Sequence, residues 1–179
     1  RPEKILDPAA GQCEFINFVP SLERYACDLS INLKNYAQEG VHCIQGNALN
    51  LPLEKESFDA IFVSNFLEHL HSPEEAAEFM RKMRELLKVG GKICIMGPNY
   101  KYCAREYFDC ADHRLILGHL AVEELLYSEY FKLVKTHDKF LPFSFRSRLP
   151  ANKYTVKAYL NMPLAWKILG KQFLILAEK

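Results

Sequence analysis

The sequence lacks several features that would place it in a special class of protein. None of its apolar runs approaches the roughly twenty residues that a membrane-spanning helix needs. No repeat, low-complexity tract or linker divides its 179 residues. Neither charge sign dominates, because 23 basic residues stand against 22 acidic ones and leave a formal net charge of +1. These absences favour one globular domain over residues 1–179, with no membrane partner and with nucleic acid disfavoured.

The cysteines form no recognisable framework. None of the six forms a C-x-x-C pair, and several lie inside apolar runs, where a free thiol behaves as a small hydrophobic group. This usage favours a reducing, cytoplasmic location over a secreted, disulfide-linked protein.

Apolar strand-like runs alternate with helical patterns, which is typical of a parallel sheet covered on both faces. Five strands are predicted first, over Lys4–Leu6, Arg24–Cys27, Val41–Ile44, Phe58–Val63 and Lys92–Met96. The chain starts almost directly on the first strand, so we expect an N-terminal helix of the fold to precede Arg1.

The clearest helix lies between the fourth and fifth strands. Ser72 is a plausible N-cap, Pro73 suits the first helical position, and Gly90-Gly91 is predicted to end the helix. Its apolar residues recur at the three-four spacing of a buried face: Ala76, Phe79, Met80, Met83, Leu86 and Leu87.

The last part of the chain predicts a helix over Leu120–Tyr130, a strand over Phe131–Lys135 and a final strand over Gln172–Ala177. No helical pattern of helix length separates these two strands, so we expect an antiparallel end to the sheet. The stretch from Phe140 to Pro163 is the least regular.

The segment after the first strand carries the strongest functional signal. The strand ends in Asp7, a small-residue loop follows, and an apolar segment near Phe15 is predicted to start a helix. Ligands bind at such loops in open parallel sheets, because small residues allow close approach and a helix N-terminus offers free N–H groups. Asp28 follows the second strand, where an acid can accept both hydroxyls of a ribose.

These residues resemble the class I S-adenosylmethionine-dependent methyltransferases, and the resemblance covers nearly the whole chain. Asp7 takes the acid position of the family motif acid-x-Gly-x-Gly-x-Gly, and Ala9, Gly11 and Cys13 take its glycine positions. Further motifs follow in the family's order: Gly46-Asn47-Ala48 with Leu51-Pro52, Phe58 to Asn65, Glu68-His69-Leu70, and Leu86 to Gly91.

The resemblance implies a three-layer, Rossmann-like α/β sandwich. Its seven-stranded, mostly parallel sheet would have the order 3-2-1-4-5-7-6, with the last strand antiparallel. It also implies S-adenosyl-L-methionine as cofactor, with thirteen binding residues: Asp7, Ala9, Ala10, Gly11, Cys13, Asp28, Leu29, Asn47, Ala48, Leu49, Ser64, Asn65 and Phe66. Asn47 stands where the family usually has an acid that contacts the adenine amine.

Two histidines are candidates for the general base. Methyl transfer is an in-line displacement, so the protein positions the nucleophile and, for a hydroxyl, removes its proton. His69 follows the fourth strand, and His113 lies beside Asp112 in the segment after the fifth strand. The structural alternatives are a hydrogen-bonded histidine at the next helix for His69 and an exposed loop residue for His113.

A bound metal is not expected. Asn65, Glu68 and His69 resemble a Glu-x-x-Glu-His metal site of some ubiquinone-pathway and RNA-terminal O-methyltransferases. Asn65 replaces the first glutamate of that pattern and removes one hard anionic ligand.

Aromatic and basic side chains gather in segments 99–118 and 140–163, which we predict to form a substrate lid. Such side chains suit a sugar, an aromatic ring or a phosphorylated small molecule, and they also occur on RNA-binding surfaces. The segments around Asp112-His113 and Phe140-Leu141-Pro142 are similar to methyltransferases found beside polysaccharide-biosynthesis enzymes. This similarity favours a sugar or nucleotide-sugar acceptor.

Three hypotheses follow. The first is an enzyme that methylates a hydroxyl, or an amine, of a small molecule. The second is a methyltransferase-like binding module without activity, because two of the three motif glycines are replaced. The third is a dinucleotide-dependent enzyme, which shares the strand–loop–acid arrangement but predicts a purely parallel sheet. The oligomeric state is not predicted.

Overall fold

The computed structural model describes residues 1–143 and 152–179, which form one seven-stranded sheet with helices packed around it. The strands are β1 (Lys4–Asp7), β2 (Glu23–Asp28), β3 (Val41–Gln45), β4 (Phe58–Ser64), β5 (Leu87–Pro98), β6 (Lys132–His137) and β7 (Gln172–Glu178). The α-helices are α1 (Leu33–Tyr36), α2 (Pro73–Leu86), α3 (Tyr100–Cys103), α4 (His119–Ser128), α5 (Lys153–Leu160) and α6 (Pro163–Leu169). Short 3-10 turns occupy Ala48–Asn50, Leu67–His69 and Tyr107–Asp109.

The strand order is β3-β2-β1-β4-β5-β7-β6, and β7 runs antiparallel to both of its neighbours. The pairs among β1 to β5 are all parallel. This topology confirms the predicted order and the antiparallel last strand. It rejects the dinucleotide-enzyme hypothesis, which requires a purely parallel sheet.

Helix α2 begins as predicted but ends earlier. The Ser72 hydroxyl accepts a hydrogen bond from the Glu75 backbone N–H at 3.2 Å, and Pro73 occupies the first turn. The helix stops at Leu86, because Leu87 already pairs with Phe58 as the first residue of β5. The prediction that Gly90-Gly91 ends the helix is therefore wrong, and both glycines lie within β5.

The predicted helix start near Phe15 is also wrong. This segment forms successive turns, in which the Asn17 N–H donates to the Cys13 carbonyl and the Val19 N–H to the Phe15 carbonyl, both at 3.1 Å. Pro20 follows at once and favours an extended residue before it, so a regular helix has no room before β2.

Two short helices lie where none was predicted. Helices α5 and α6 separate β6 from β7 and occupy part of the stretch that looked irregular. A capping box starts α5, since the Asn152 side chain accepts from the Thr155 N–H and the Thr155 hydroxyl accepts from the Asn152 N–H. Pro163 starts α6. At eight and seven residues, these helices are too short to show a clear helical period.

The core has two parts, one on each face of the sheet, because successive residues of a strand point to opposite faces. On one face, α2 and α4 pack over a large cluster that includes Leu6, Phe79 and Ile95. On the other, a smaller cluster around Ile5 and Cys13 holds the loop after β1. No helix in the described ranges is long and apolar enough to cross a bilayer.

The core assignment predicts that Phe79→Ala will lower the free energy of unfolding by about 3–5 kcal/mol, because it removes a fully buried ring from α2. Glu78→Ala is the matched control on the exposed side of the same helix, with an expected effect below about 0.5 kcal/mol. Urea denaturation of both variants measures the difference. Equal losses would show that α2 does not bury this face.

Candidate functional site

The predicted cofactor residues lie at one edge of the sheet. Strands β3, β2, β1 and β4 are neighbours and run parallel, so their carboxyl ends meet at the same edge. Asp7 closes β1 and Asp28 closes β2, while Asn47 and Asn65 follow β3 and β4. The topology therefore brings the four predicted groups together at the place where open α/β sheets bind ligands.

The loop after β1 is held by backbone hydrogen bonds to the end of β2. The Ala10 N–H donates to the Cys27 carbonyl at 2.8 Å, and the Gly11 N–H donates to Asp28 Oδ2 at 2.8 Å. Gly11 has a φ of +50°, and a Cβ placed on it would meet no atom within 4 Å. The loop thus presents open space, with Ala9 and Ala10 just before it.

Cys13 adopts a left-handed conformation, which glycine reaches more readily than any other residue. Its φ is +61°, which costs a non-glycine residue about 1 kcal/mol or more. The side chain is fully buried with Ile5 and Ile16 in the smaller core. Burial of the thiol offsets the backbone cost and explains how the loop keeps its path without glycine.

The two acids of this edge differ in their surroundings. Asp7 is only 4% exposed, and burial together with the nearby charge of Asp28 raises its pKa to about 7. One of its carboxylate oxygens accepts from the Ala9 N–H at 3.4 Å. Asp28 also accepts from the Ser30 N–H at 2.8 Å through Oδ1. The edge therefore carries a buried carboxyl at the end of β1, whose ionised form is disfavoured, and a half-buried carboxyl at the end of β2.

The predicted adenine-side residues after β2 and β3 differ in exposure and in hydrogen bonding. The Asn47 side-chain oxygen caps the following 3-10 turn by accepting from the Leu49 N–H at 2.9 Å. A second lone pair of that oxygen remains for a ligand. Ala48 is buried in the large core, whereas Leu29, after β2, is 73% exposed at the edge.

The end of β4 is strained, as functional loops often are. Asn65 has a φ of +47°, and its backbone N–H donates to the Met96 carbonyl at 2.9 Å. Its side-chain amide donates to the Ser64 hydroxyl at 3.1 Å. Phe66 packs its ring 4.8 Å from that of Phe79, so it contributes to the core as well as to the edge.

The two candidate bases lie side by side. The rings of His69 and His113 are 5.3 Å apart between centroids. Asp112 does not orient its sequence neighbour His113, because its carboxylate lies 3.3 Å from Nδ1 of His69. The Asp112 carbonyl is 3.2 Å from the same nitrogen. The Glu68 carbonyl accepts from the N–H groups of Arg114 and Leu115 and holds this segment against the 3-10 turn after β4.

His113 is buried rather than an exposed loop residue. It is 8% exposed, and burial is the main reason that its pKa is lowered. Its Nδ1 has no hydrogen-bond partner among the described residues. The Tyr107 ring lies 4.7 Å from the His113 ring, and the Tyr107 hydroxyl donates to the Leu115 carbonyl at 2.5 Å.

Glu68 joins this cluster as a buried acid. It is 3% exposed, and burial raises its pKa to about 8. Ligand-capable atoms of Glu68, His69 and His113 lie within 4.8 Å of one another. The sequence had suggested Glu68 only as part of an incomplete metal motif, and the expectation of no metal stays a prediction.

The predicted lid is seen in part. In segment 99–118, the rings of Tyr100, Tyr107 and Phe108 make edge-to-face contacts, and Phe108 is 55% exposed. In segment 140–163, Phe143 lies 6.4 Å from the His113 ring between centroids. Residues 144–151 of this segment lie outside the described residues.

Comparisons with known proteins agree with this arrangement. A family profile described as "Methyltransferase domain" matches residues 6–95, half of the chain. A curated relative, the demethylmenaquinone methyltransferase of Thermobifida fusca, is 34% identical over 79 residues. This match covers 39% of the chain and 32% of the relative, so the chain spans about a third of that protein's length.

Solved structures share the fold at low identity. An S-adenosylmethionine-dependent methyltransferase from Archaeoglobus fulgidus has a TM-score of 0.73 at 19% identity, covering 99% of this chain and 86% of that one. A geranyl diphosphate C-methyltransferase from Streptomyces coelicolor, solved with Mg²⁺, geranyl diphosphate and S-adenosyl-L-homocysteine, has a TM-score of 0.69 at 13% identity. That match covers 98% of this chain and 71% of the other. Because the family profile spans half of the chain and the fold extends over nearly all of it, the chain belongs to the methyltransferase domain family.

Proposed function

We propose that the protein transfers a methyl group from S-adenosylmethionine to a hydroxyl, or an amine, of a small molecule, with a sugar or nucleotide-sugar as the acceptor class. The observation that carries this proposal is that the predicted cofactor acids and the candidate base lie at one edge of the sheet. Asp7, which is buried, and Asp28, which is half-buried, close β1 and β2 at the same edge of the sheet as the pair formed by His69 and Asp112.

The edge fits a cationic cofactor. S-adenosylmethionine carries a sulfonium and an α-ammonium group. When the cofactor is bound, its sulfonium supplies an electrophilic methyl group for transfer. The raised pKa of Asp7 shows that its ionised form is disfavoured in the free protein. A positive charge beside it favours that ionised form. The open space at Gly11 gives a ligand room to approach the backbone.

The remaining contacts follow from the other loops. The Asp28 oxygens each accept one backbone hydrogen bond and keep lone pairs for ribose hydroxyls. Leu29 offers an exposed apolar surface for the adenine ring, and Asn47 offers amide groups to its edge. These roles agree with the cofactor residues predicted from the motifs.

On the acceptor side, we assign the role of general base to His69. Asp112 fixes Nδ1 of His69 and stabilises the imidazolium that forms when the ring takes a proton from a hydroxyl. His113 is buried and has a lowered pKa, so its neutral ring is suited to orienting the acceptor by a hydrogen bond. The aromatic rings of the lid provide apolar faces for a sugar or a base.

The alternative is a binding module without activity, based on the replaced glycines. Cys13 weakens that argument, because it adopts the required positive φ and its side chain is accommodated in the core. Ala9 adds one methyl group and leaves the hydrogen bonds of the loop in place.

Cofactor binding is tested by thermal shift. We expect S-adenosylmethionine and S-adenosylhomocysteine to raise the melting temperature, because each binds only the folded state. Asp28→Ala should lower the apparent affinity for both ligands about tenfold or more, because it removes a hydrogen-bonded carboxylate. Both thermal shifts should shrink accordingly. Glu39→Ala removes an exposed acid between α1 and β3 and should leave the affinity unchanged. No shift with either ligand at millimolar concentration would overturn the proposal.

The charge argument predicts a pH-dependent stability for Asp7→Asn. The folded-state pKa of Asp7 is raised to about 7, so its contribution to stability is greatest at acid pH and is lost as the pH rises from about 4 to 7. Asparagine does not titrate and keeps an acceptor for the Ala9 N–H. The variant should therefore be more stable than the wild type at pH 8, by about 2–4 kcal/mol, with a smaller gain at pH 5.

Asp59→Asn is the control with the opposite sign. Hydrogen bonding to Lys88 and to the Lys4 N–H lowers the Asp59 pKa. This substitution should lower the stability equally at pH 8 and pH 5, because both values lie above the lowered pKa of Asp59, and the loss should fade only below about pH 4. Urea denaturation at pH 5 and pH 8 measures both variants, and a gain for Asp7→Asn that does not grow with pH would contradict the assignment.

The base assignment predicts that His69→Gln lowers the rate of methyl transfer to a hydroxyl acceptor by about 10²–10⁴-fold, because glutamine cannot take a proton. Binding of S-adenosylhomocysteine should change little. His42→Gln is the control, since His42 lies exposed on β3. Tritiated methyl transfer to a sugar-nucleotide mixture provides the assay. A chelator should leave the rate unchanged. If a chelator lowers the rate and a divalent cation restores it, the histidine cluster is a metal site and His69 is not the base.

A further inference from the structure

The near-zero net charge hides a segregated distribution. The 39 residues from 139 to 177 contain seven basic residues and no acidic one: Lys139, Arg146, Arg148, Lys153, Lys157, Lys167 and Lys171. Removing these seven from the 23 basic residues leaves 16 against all 22 acids in the rest of the chain. A block of one charge sign inside an otherwise acidic protein indicates an anionic partner.

Helices α5 and α6 lie in this block, pack on each other and are attached to the end of β6. The Trp166 indole N–H donates to the Tyr159 carbonyl at 2.8 Å, and the Tyr159 hydroxyl donates to the Phe140 carbonyl at 2.6 Å. The Trp166 ring lies 5.0 Å from that of Phe140 and 5.2 Å from that of His137. These half-buried aromatic residues fix the helices to the end of β6.

Several apolar side chains of the two helices are exposed. Leu164 and Ile168 stand one helical turn apart on α6 and are 74% and 79% exposed. The exposed set, which we call the hairpin surface, comprises Tyr154, Val156, Leu160, Met162, Leu164, Ile168 and Leu169. Lys157 and Lys167 are exposed on the same helices. Exposed apolar side chains grouped in this way mark an interaction site.

We propose that the hairpin surface docks the protein on an anionic lipid bilayer, although the net charge and the lack of a long apolar run had predicted no membrane partner. Aliphatic side chains bordered by lysines match the boundary between acyl chains and negatively charged headgroups. RNA fits less well, because six of the seven apolar residues are aliphatic or methionine and cannot stack on bases. The helices are too short to span a bilayer, so the contact is interfacial.

The segment after β6 contacts both α6, through the rings of Phe140 and Trp166, and the candidate active site. The segment that leaves β6 toward the hairpin surface passes His113, with the Phe143 ring 6.4 Å from the histidine ring. If the proposed methyl transfer is correct, docking brings the histidine cluster to the membrane surface. The acceptor group then belongs to an amphiphile whose polar head reaches the cluster while its apolar part stays in the bilayer.

Vesicle co-sedimentation tests the docking. The protein should bind vesicles of phosphatidylcholine with phosphatidylglycerol at least about tenfold more tightly than vesicles of phosphatidylcholine alone. Binding to the anionic vesicles should weaken as salt is raised, because screening shortens the range of the attraction. Equal binding to both vesicles, or none to either, overturns the proposal.

Two double variants separate the apolar and the electrostatic contributions. Leu164→Ser with Ile168→Ser removes the apolar contact, and Lys157→Gln with Lys167→Gln removes two charges. Each should weaken binding to the anionic vesicles about tenfold or more. The matched control is Val89→Ser with Lys34→Gln, which changes an exposed apolar residue and an exposed lysine elsewhere. All these side chains are exposed, and an unchanged melting temperature checks folding.

Other outcomes assign the surface differently. Salt-sensitive binding to a single-stranded oligonucleotide, with no binding to vesicles, would replace the bilayer by RNA or DNA. The result is also independent of the proposed catalysis. Vesicle binding without a thermal shift by S-adenosylmethionine rejects the enzyme and keeps the docking surface, whereas a thermal shift without vesicle binding rejects only the docking.

Discussion

The carboxylate of Asp28 holds together the loops on which the candidate site depends. Its Oδ2 accepts from the Gly11 N–H, and its backbone carbonyl accepts from the Gly46 N–H at 3.0 Å. The loops after β1, β2 and β3 thus share one residue. Because the bonds run to backbone groups, they do not depend on which side chains the loop carries. This explains how the fold retains its ligand edge with Ala9 and Cys13 at glycine positions.

Two buried acids give this edge its chemical character. Asp7 and Glu68 are nearly inaccessible, and burial raises the pKa of Asp7 to about 7 and that of Glu68 to about 8. Such groups cost folding free energy, and they concentrate at sites that bind cations or move protons. Asp7 belongs to the cofactor side and Glu68 to the histidine cluster. The same sheet edge therefore carries the titratable groups of the proposed reaction, and a bound cation would favour the ionised form of Asp7.

The order of the strands was implied by the family resemblance, and the long helix could be predicted because it rests on repeated signals. Helix α2 shows its buried face several times over, with a cap and a proline at its start. The features that were missed have weak local signals. Helices α5 and α6 span about two turns each. The segment near Phe15 has helical composition but meets Pro20 before a helix can form. These predictions failed because the segments are short, not because of the residue types they contain.

The sequence by itself determined the seven strands, the start of α2, the order of the motifs and the positions of Asp7 and Asp28 at strand ends, since each depends on neighbouring residues. Only the tertiary structure decided that Asp112 faces His69 rather than His113. Likewise, only packing buries His113, and only the attachment of α6 through Trp166 turns Leu164 outward. These relations join residues from separate elements. Spacing along the chain carries no information about them, because the packing of those elements sets the distances.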